Sequence, residues 1–470
     1  MISCPGKVLI TGAYLILESS YRGLVLSLDS RIGVTIECRD LEKEENQQNS
    51  NTESCKISVD SPILNFLQNY EYDLSSRKLV VPSNAVPNSF VEKTLEYTIG
   101  IVAELYGITS LKNQMINIKI TTDKAFYFST SKEEKITKTG LGSSAAMTTA
   151  LCGALLWKFS NLHKPKTSNQ EDLQEKEKNT EKNTEKEKEK IVELESREIE
   201  NVFMKFGEKK QRYQDIVFRL SLFAHCLAQG KIGSGFDISS AVYGSHCFQR
   251  KTQTILEKLL DLYQSSEETE KSKKHFYKEI LNQLLFNPCL AENTKSMKSS
   301  QNLEDTHFDM PNELELIMAN DGMFTKTTGM VRSVLKWKKT DPVSSLKLWN
   351  QLGELNEEFF LKMKNFQISG LSEIKSLFSK IRKLLKQMGE NSKAEIEPDS
   401  RTIFLDKLNK MPQIVAAGVS GAGGYDSIFL IYMKSEKNTK AINQVLQDNE
   451  FKLLPVNYEN RGILLHPLKK

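Results

Sequence analysis

The stretch KTGLGSSAAMTTALCGALL, residues 138–156, restricts the fold more than any other. Gly140 and Gly142 predict a tight turn, and Ala145, Ala146, Met147, Ala150, Leu151, Ala154 and Leu155 give the helix after it small and apolar faces. Small residues at a helix start let the backbone come close to whatever sits at its N-terminus. That end is electropositive and carries amides without intrahelical partners, so it suits a phosphate chain. Ser143 and Ser144 add hydroxyls able to bond a phosphate oxygen or ligate Mg²⁺. Alone, the segment admits three readings: a dinucleotide loop, a nucleoside-triphosphate loop, or a plain turn into a packed helix. A Walker loop would need GxxxxGK[ST], and serines stand where its lysine would be. A dinucleotide loop would need a buried apolar strand just before it, where SKEEKITKT stands instead.

Strand patterns at 23–40 (a strand pair), 56–60 and 116–123 surround a helical pattern at 89–105, with Ser89 as its cap. Strands and helices mixed in this way predict an α/β or α+β architecture. A Glu/Lys tract at 168–196 cannot build a core and reads as a disordered insert or a solvated helix with i,i+4 pairs, the interrupting Asn-Thr pairs favouring the insert. The polar stretches at 264–276 and 291–307 read as expanded loops. QIVAAGVSGAGGYDSIFLIYM, residues 413–433, reads as a strand, a glycine loop and a strand.

Charge and cysteine usage narrow the function classes. The 64 basic and 60 acidic residues leave a net charge of +4, without the concentrated basic face of a nucleic-acid binder. No apolar run reaches the roughly 18 residues of a membrane span. The opening MISCPGKVLITGAYLIL has no basic segment ahead of an apolar core, so it reads as a strand and turn rather than a targeting peptide. Seven cysteines form no CxxC pair and no metal-ligand spacing, which points to reduced thiols and a cytoplasmic location.

Two more glycine stretches weigh on the 140–146 loop. In AHCLAQGKIGSGFDISSAVYGS (224–245), a Gly-Ser-Gly turn places Asp237 after a loop where backbone can approach a ligand; by itself such an aspartate reads as a helix cap. In GVSGAGGYDS (418–427) the glycines exceed the needs of a hairpin. PGKVLITGAY (5–14), GLGSSAA (140–146) and SGAGGYD (420–426), in that order, resemble the three signatures of the GHMP kinase superfamily. Within it, AHCLAQGKIGSGFD followed by AVYGS is similar to the eukaryotic phosphomevalonate kinases, and AEIEP (394–398) is a weaker likeness of the same kind.

The resemblance implies a two-domain GHMP kinase fold. Residues 1–250 would form an ATP-binding domain with a left-handed βαβ unit, and 251–470 a domain with a ferredoxin-like sheet, the active site lying in the cleft between them. It implies transfer of the ATP γ-phosphoryl group to 5-phosphomevalonate, with Mg²⁺ as cofactor and a monomer or homodimer as the working unit. Lys7 and Asp237 would be catalytic, and Lys138, Gly140, Leu141, Gly142, Ser143, Ser144, Ala145 and Asn88 would hold ATP. Tyr14, Gly233, Ser234, Gly235, Lys326, Thr327 and Thr328 would meet the acceptor, while Gly421, Gly423 and Gly424 would support the phosphate loop. Mevalonate kinases carry a Mg²⁺-binding Glu eleven residues ahead of the catalytic Asp, where this chain has Cys226. Ser144 is then the implied metal ligand, with phosphate oxygens and water completing the shell.

Overall fold

The computed structural model describes residues 1–41, 53–129, 136–162, 210–250, 253–266, 270–285, 306–323 and 327–467. The Glu/Lys tract at 168–196 and residues 291–305 lie outside them.

The first sheet is built on β1 (Ile2–Leu9), β2 (Arg22–Asp40), β3 (Ser54–Ser61), β4 (Phe66–Asp73), β5 (Lys78–Val80) and β6 (Gln114–Thr122). A short hairpin of β7 (Tyr127–Ser129) and β8 (Ile136–Lys138) follows. The strand order is β1-β2-β6-β3-β4-β5, with β3 and β6 parallel. Residues 23–40 were expected as a strand pair; they form one 19-residue strand instead. Its two halves have different neighbours: Arg22–Val25 pairs with β9 (His246–Gln249), and Ile32–Asp40 pairs with β6. A change of partner along one long strand produces the same alternation as a hairpin, so the pattern could not separate them.

Helices α1 (Ser89–Tyr106), α2 (Ser143–Leu162), α3 (Lys210–Gln229) and α4 (Phe236–Tyr243) pack on one another, and α2 and α4 lie against β1 and β2. The cap of α1 is Asn88, not Ser89: its side chain accepts from the Val91 amide at 3.3 Å and its own N–H donates to Glu92 at 2.9 Å. This reciprocal arrangement satisfies two otherwise orphaned donors and contributes about 1 kcal/mol. The stretch at 264–276, expected as an expanded loop, is largely helical in α5 (Gln253–Ser266) and α6 (Glu270–Ile280). Its polar residues cover an apolar face that includes Tyr263, Phe276 and Tyr277, all buried.

The second sheet contains β10 (Leu314–Asn320), β11 (Ile414–Val419), β12 (Ile428–Met433) and β13 (Lys452–Leu453), all pairs antiparallel, in the order β11-β12-β10-β13. Helices α7 (Thr327–Thr340), α8 (Pro342–Lys364), α9 (Leu371–Ser392) and α10 (Asp399–Lys410) join β10 to β11, and α11 (Glu436–Asp448) joins β12 to β13. This is the ferredoxin-like plan of helix and strand alternation. Beyond it, β14 (Tyr458–Glu459) and β15 (Leu464–Leu465) return to the first sheet, pairing with β2 and β1. Arg31 anchors this return through Glu459 at 2.7 Å and the Ser3 side chain and carbonyl at 2.8 and 3.0 Å. Among the described residues, no helix is long and apolar enough to cross a membrane.

Candidate active site

From β8 the chain turns through Thr139–Gly142 into α2. Gly140 and Gly142 both hold φ near +80°. A Cβ at Gly140 would meet nothing within 4 Å, whereas one at Gly142 would stand 3.0 Å from Lys7 Cε. Gly142 therefore gives the Lys7 stem its path. Lys7, half-buried on β1, donates its backbone N–H to Leu141 O at 2.9 Å and its Nζ to Gly140 O at 3.0 Å. The ammonium also sits 5.2 Å from the centroid of the Phe236 ring. Burial pushes its pKa down, and the Asp237 and Asp426 carboxylates push it back up. The result is a cation held at the mouth of α2 by protein on several sides.

Beside that mouth lies a cavity of about 300 Å³ lined by Asn88, Phe90, Lys138, Ser143, Ser144 and Met147, among others. The first sheet supplies its apolar floor through Ile32 and Ile120. The Lys138 ammonium lies 5.7 Å from the Phe90 ring centroid. Of the residues expected to hold ATP, Asn88, Lys138, Ser143 and Ser144 line this cavity, Gly140 and Gly142 stand outside its lining, and Leu141 and Ala145 are buried.

The 233–235 turn leads into α4, with Asp237 in its first turn. Gly235 has φ +84°, and a Cβ there would stand 2.7 Å from Leu222, so this glycine answers to packing. Arg250 fixes the turn by donating to Gly233 O at 3.0 Å and to Leu17 O at 2.7 Å. Asp237 Oδ1 accepts from the Ile238 amide at 3.0 Å and acts on Lys7 through its field. Ser234 is half-buried on the turn. Tyr14, expected near the acceptor, is buried, and its hydroxyl donates to Ala422 O at 2.6 Å. Thr327 and Thr328 open α7, and Lys326 lies outside the described residues.

The glycine loop between β11 and β12 meets the 139–142 turn through Ser427. Gly421, Gly423 and Gly424 have φ of 64°, 88° and 81°. The Gly424 amide donates to Ile396 O at 2.8 Å, and a Cβ at Gly423 would fall 2.1 Å from that same oxygen. Ile396 belongs to the AEIEP stretch, whose Glu397 is buried and bonded to Arg382 at 2.6 and 3.1 Å. Ser427 then donates to Thr139 O at 3.0 Å, joining the two loops directly. Asp426, Ser427, Phe236 and His225 are site residues that sequence reasoning did not assign. Each stood inside a quoted stretch, but only the fold reveals which of them faces Lys7 or Ser144.

Every described acid, histidine or cysteine falls outside any three-membered cluster suited to a metal. No protein-family model matches the chain. Over 98% of its length it is similar to the phosphomevalonate kinase of Gibberella zeae, 28% identical with 95% of that protein covered. It is 26% identical to the peroxisomal phosphomevalonate kinase of Arabidopsis thaliana, again covering 98% of this chain and 95% of the relative. The solved Streptococcus pneumoniae phosphomevalonate kinase in complex with phosphomevalonate and AMPPNP has the same fold, with a TM-score of 0.56, 14% identity, and 98% and 100% of the two chains covered. A lysine and a glycine-serine loop at a helix mouth, a ferredoxin-like second sheet and near full-length similarity together make this chain a member of the GHMP kinase superfamily.

Proposed function

We propose that the chain is a phosphomevalonate kinase, transferring the γ-phosphoryl group of ATP to the phosphate of 5-phosphomevalonate to give 5-diphosphomevalonate and ADP. The observation that carries this reading is the Lys7 ammonium at the mouth of α2, bonded to Gly140 O and flanked by Asp237 and Asp426. A phosphate monoester has a second pKa near about 6, so at neutral pH it is mostly the dianion and needs little help from a base. The harder task is to bring two anions together in line, which favours a cation over a proton acceptor. Lys7 would bridge donor and acceptor, and Asp237 would orient Lys7 and the acceptor. Gly140, Gly142, Ser143 and Ser144 would cradle the phosphates, with Asn88 and Lys138 on the nucleoside side. Gly233, Ser234, Lys326, Thr327 and Thr328 would receive the acceptor.

Ser144 would hold Mg²⁺ brought by the nucleotide, a fit to an ion that keeps water and phosphate oxygens rather than needing an all-protein cage. Mg²⁺ so bound would offset phosphate charge. We read 1–250 and 251–470 as the two lobes about this cleft, with the second returning β14 and β15 to the sheet of the first. The six described cysteines are unpaired, which suits a reducing compartment such as the cytoplasm. The test is ADP release by the purified chain with Mg-ATP and either 5-phosphomevalonate or mevalonate. Turnover confined to 5-phosphomevalonate is expected. Faster turnover of mevalonate would sink the acceptor assignment, and no turnover of either would mark a non-catalytic relative.

A further inference from the structure

Helix α3 carries two residues one turn apart, His225, which reaches the start of α2, and Gln229, which bonds His225. His225 is 3% exposed. Its Nε2 lies 3.2 Å from Ser144 Oγ, and Gln229 Nε2 lies 3.0 Å from its Nδ1 and 3.2 Å from its Nε2. The imidazole also packs 5.2 Å from the Phe90 ring, the one that carries Lys138. Asp237 and Lys138 both act on it electrostatically. His225 thus touches the phosphate loop and the nucleoside wall and lies within the field of Asp237, yet the mechanism above gives it no task.

The hydrogen-bond inventory supplies one. An amide nitrogen only donates, so a bond from Gln229 to Nδ1, the nearer of the two ring nitrogens, would make Nδ1 the acceptor and leave the single ring proton on Nε2. Nε2–H then donates to Ser144 Oγ. The seryl hydroxyl proton must turn to another acceptor, and Ser144 lines the cavity beside α2. Its second lone pair stays available to a nucleotide-borne cation.

We propose that His225, held by Gln229, is a positioning residue that fixes the Ser144 hydroxyl as a hydrogen-bond donor to a nucleotide phosphate. This rests on the kinase reading above. The reverse arrangement, with the Gln229 carbonyl accepting from Nδ1–H, would make Nε2 the acceptor of the Ser144 proton and leave no donor for the phosphate.

Two measurements test it. The ¹⁵N spectrum of the histidines in the wild-type chain reports which nitrogen of His225 is protonated, and Nε2–H is expected. ADP binding by calorimetry, with and without Mg²⁺, is compared for wild type, Ser144→Ala, His225→Phe and the double variant. Each single change should weaken ADP binding about tenfold, the scale of a hydrogen bond to a charged group, and the double variant should bind no worse than Ser144→Ala. A proton on Nδ1, or losses that multiply in the double variant, would overturn the proposal while leaving the kinase reading intact. Wild-type protein that binds no ADP would overturn both.

Discussion

The two glycine loops of this protein share a backbone requirement and differ in what lies over them. Gly140 and Gly423 both adopt positive φ, near 80° and 88°. Over Gly140 there is open space to 4 Å, while over Gly423 a carbonyl oxygen would stand 2.1 Å from an added Cβ. At Gly140 the backbone stands clear of protein, and at Gly423 it is pressed against protein. In the same two loops a Cβ at Gly142 would meet Lys7 at 3.0 Å and one at Gly421 would meet nothing, so the contrast belongs to these two positions. Glycine content in a sequence therefore reports a conformational need, and only the surroundings reveal whether a ligand or the protein's own backbone creates it.

The sharpest way to break this division is to remove the cation that the open loop holds. Lys7→Met should lower kcat about 10³-fold or more, the scale of a lost charge stabiliser in phosphoryl transfer, with little change in melting temperature. A loss below tenfold would remove Lys7 from the centre of the site. Next in size, Gly423→Ala should destabilise the fold by about 2–4 kcal/mol through overpacking against Ile396 O, read by urea unfolding, with KM for ATP changing less. Gly140→Ala should do the reverse. Positive φ costs an alanine about 1–2 kcal/mol, and the methyl group would enter open space that the proposed function assigns to the nucleotide, so KM for ATP should rise several-fold. Matching stability losses in the two variants would erase the distinction.

Much of this was legible before any coordinates. The small and apolar residues after GLGSS predict the helix that is α2, and the strand–glycine–strand pattern of 413–433 corresponds to β11 and β12. What sequence could not supply were relations across hundreds of residues. The bond from Ser427 to Thr139 spans 288 positions, and that from Tyr14 to Ala422 spans 408. Tyr14 lies in the PGKVLITGAY motif, and nothing in that motif foretells its φ of 65° or the bond from its hydroxyl to the distant Ala422. His225 sits among apolar neighbours on α3, where a lone histidine in sequence cannot be told from a satisfied core residue. Short strands such as β14 and β15 carry almost no pattern of their own and exist because the first sheet offers them an edge.

The smallest effect is the one that asks whether the two loops act together. Ser427 Oγ donates to Thr139 O in a buried setting, one residue before Gly140. Ser427→Ala leaves that carbonyl short of a partner and should cost about 1 kcal/mol of stability. If the bond also sets the position of the phosphate loop, KM for ATP should rise about twofold to fivefold, equivalent to about 1 kcal/mol or less. Combining it with Gly140→Ala closes a thermodynamic cycle. Residues sharing a backbone segment couple by about 0.5 kcal/mol or more, whereas independent sites add within about 0.3–0.5 kcal/mol. Coupling measured in KM would mean the closed loop shapes the open one. Additivity in KM with coupling confined to stability would mean that the second loop holds the fold together and leaves nucleotide recognition to Gly140, Ser144 and Lys7.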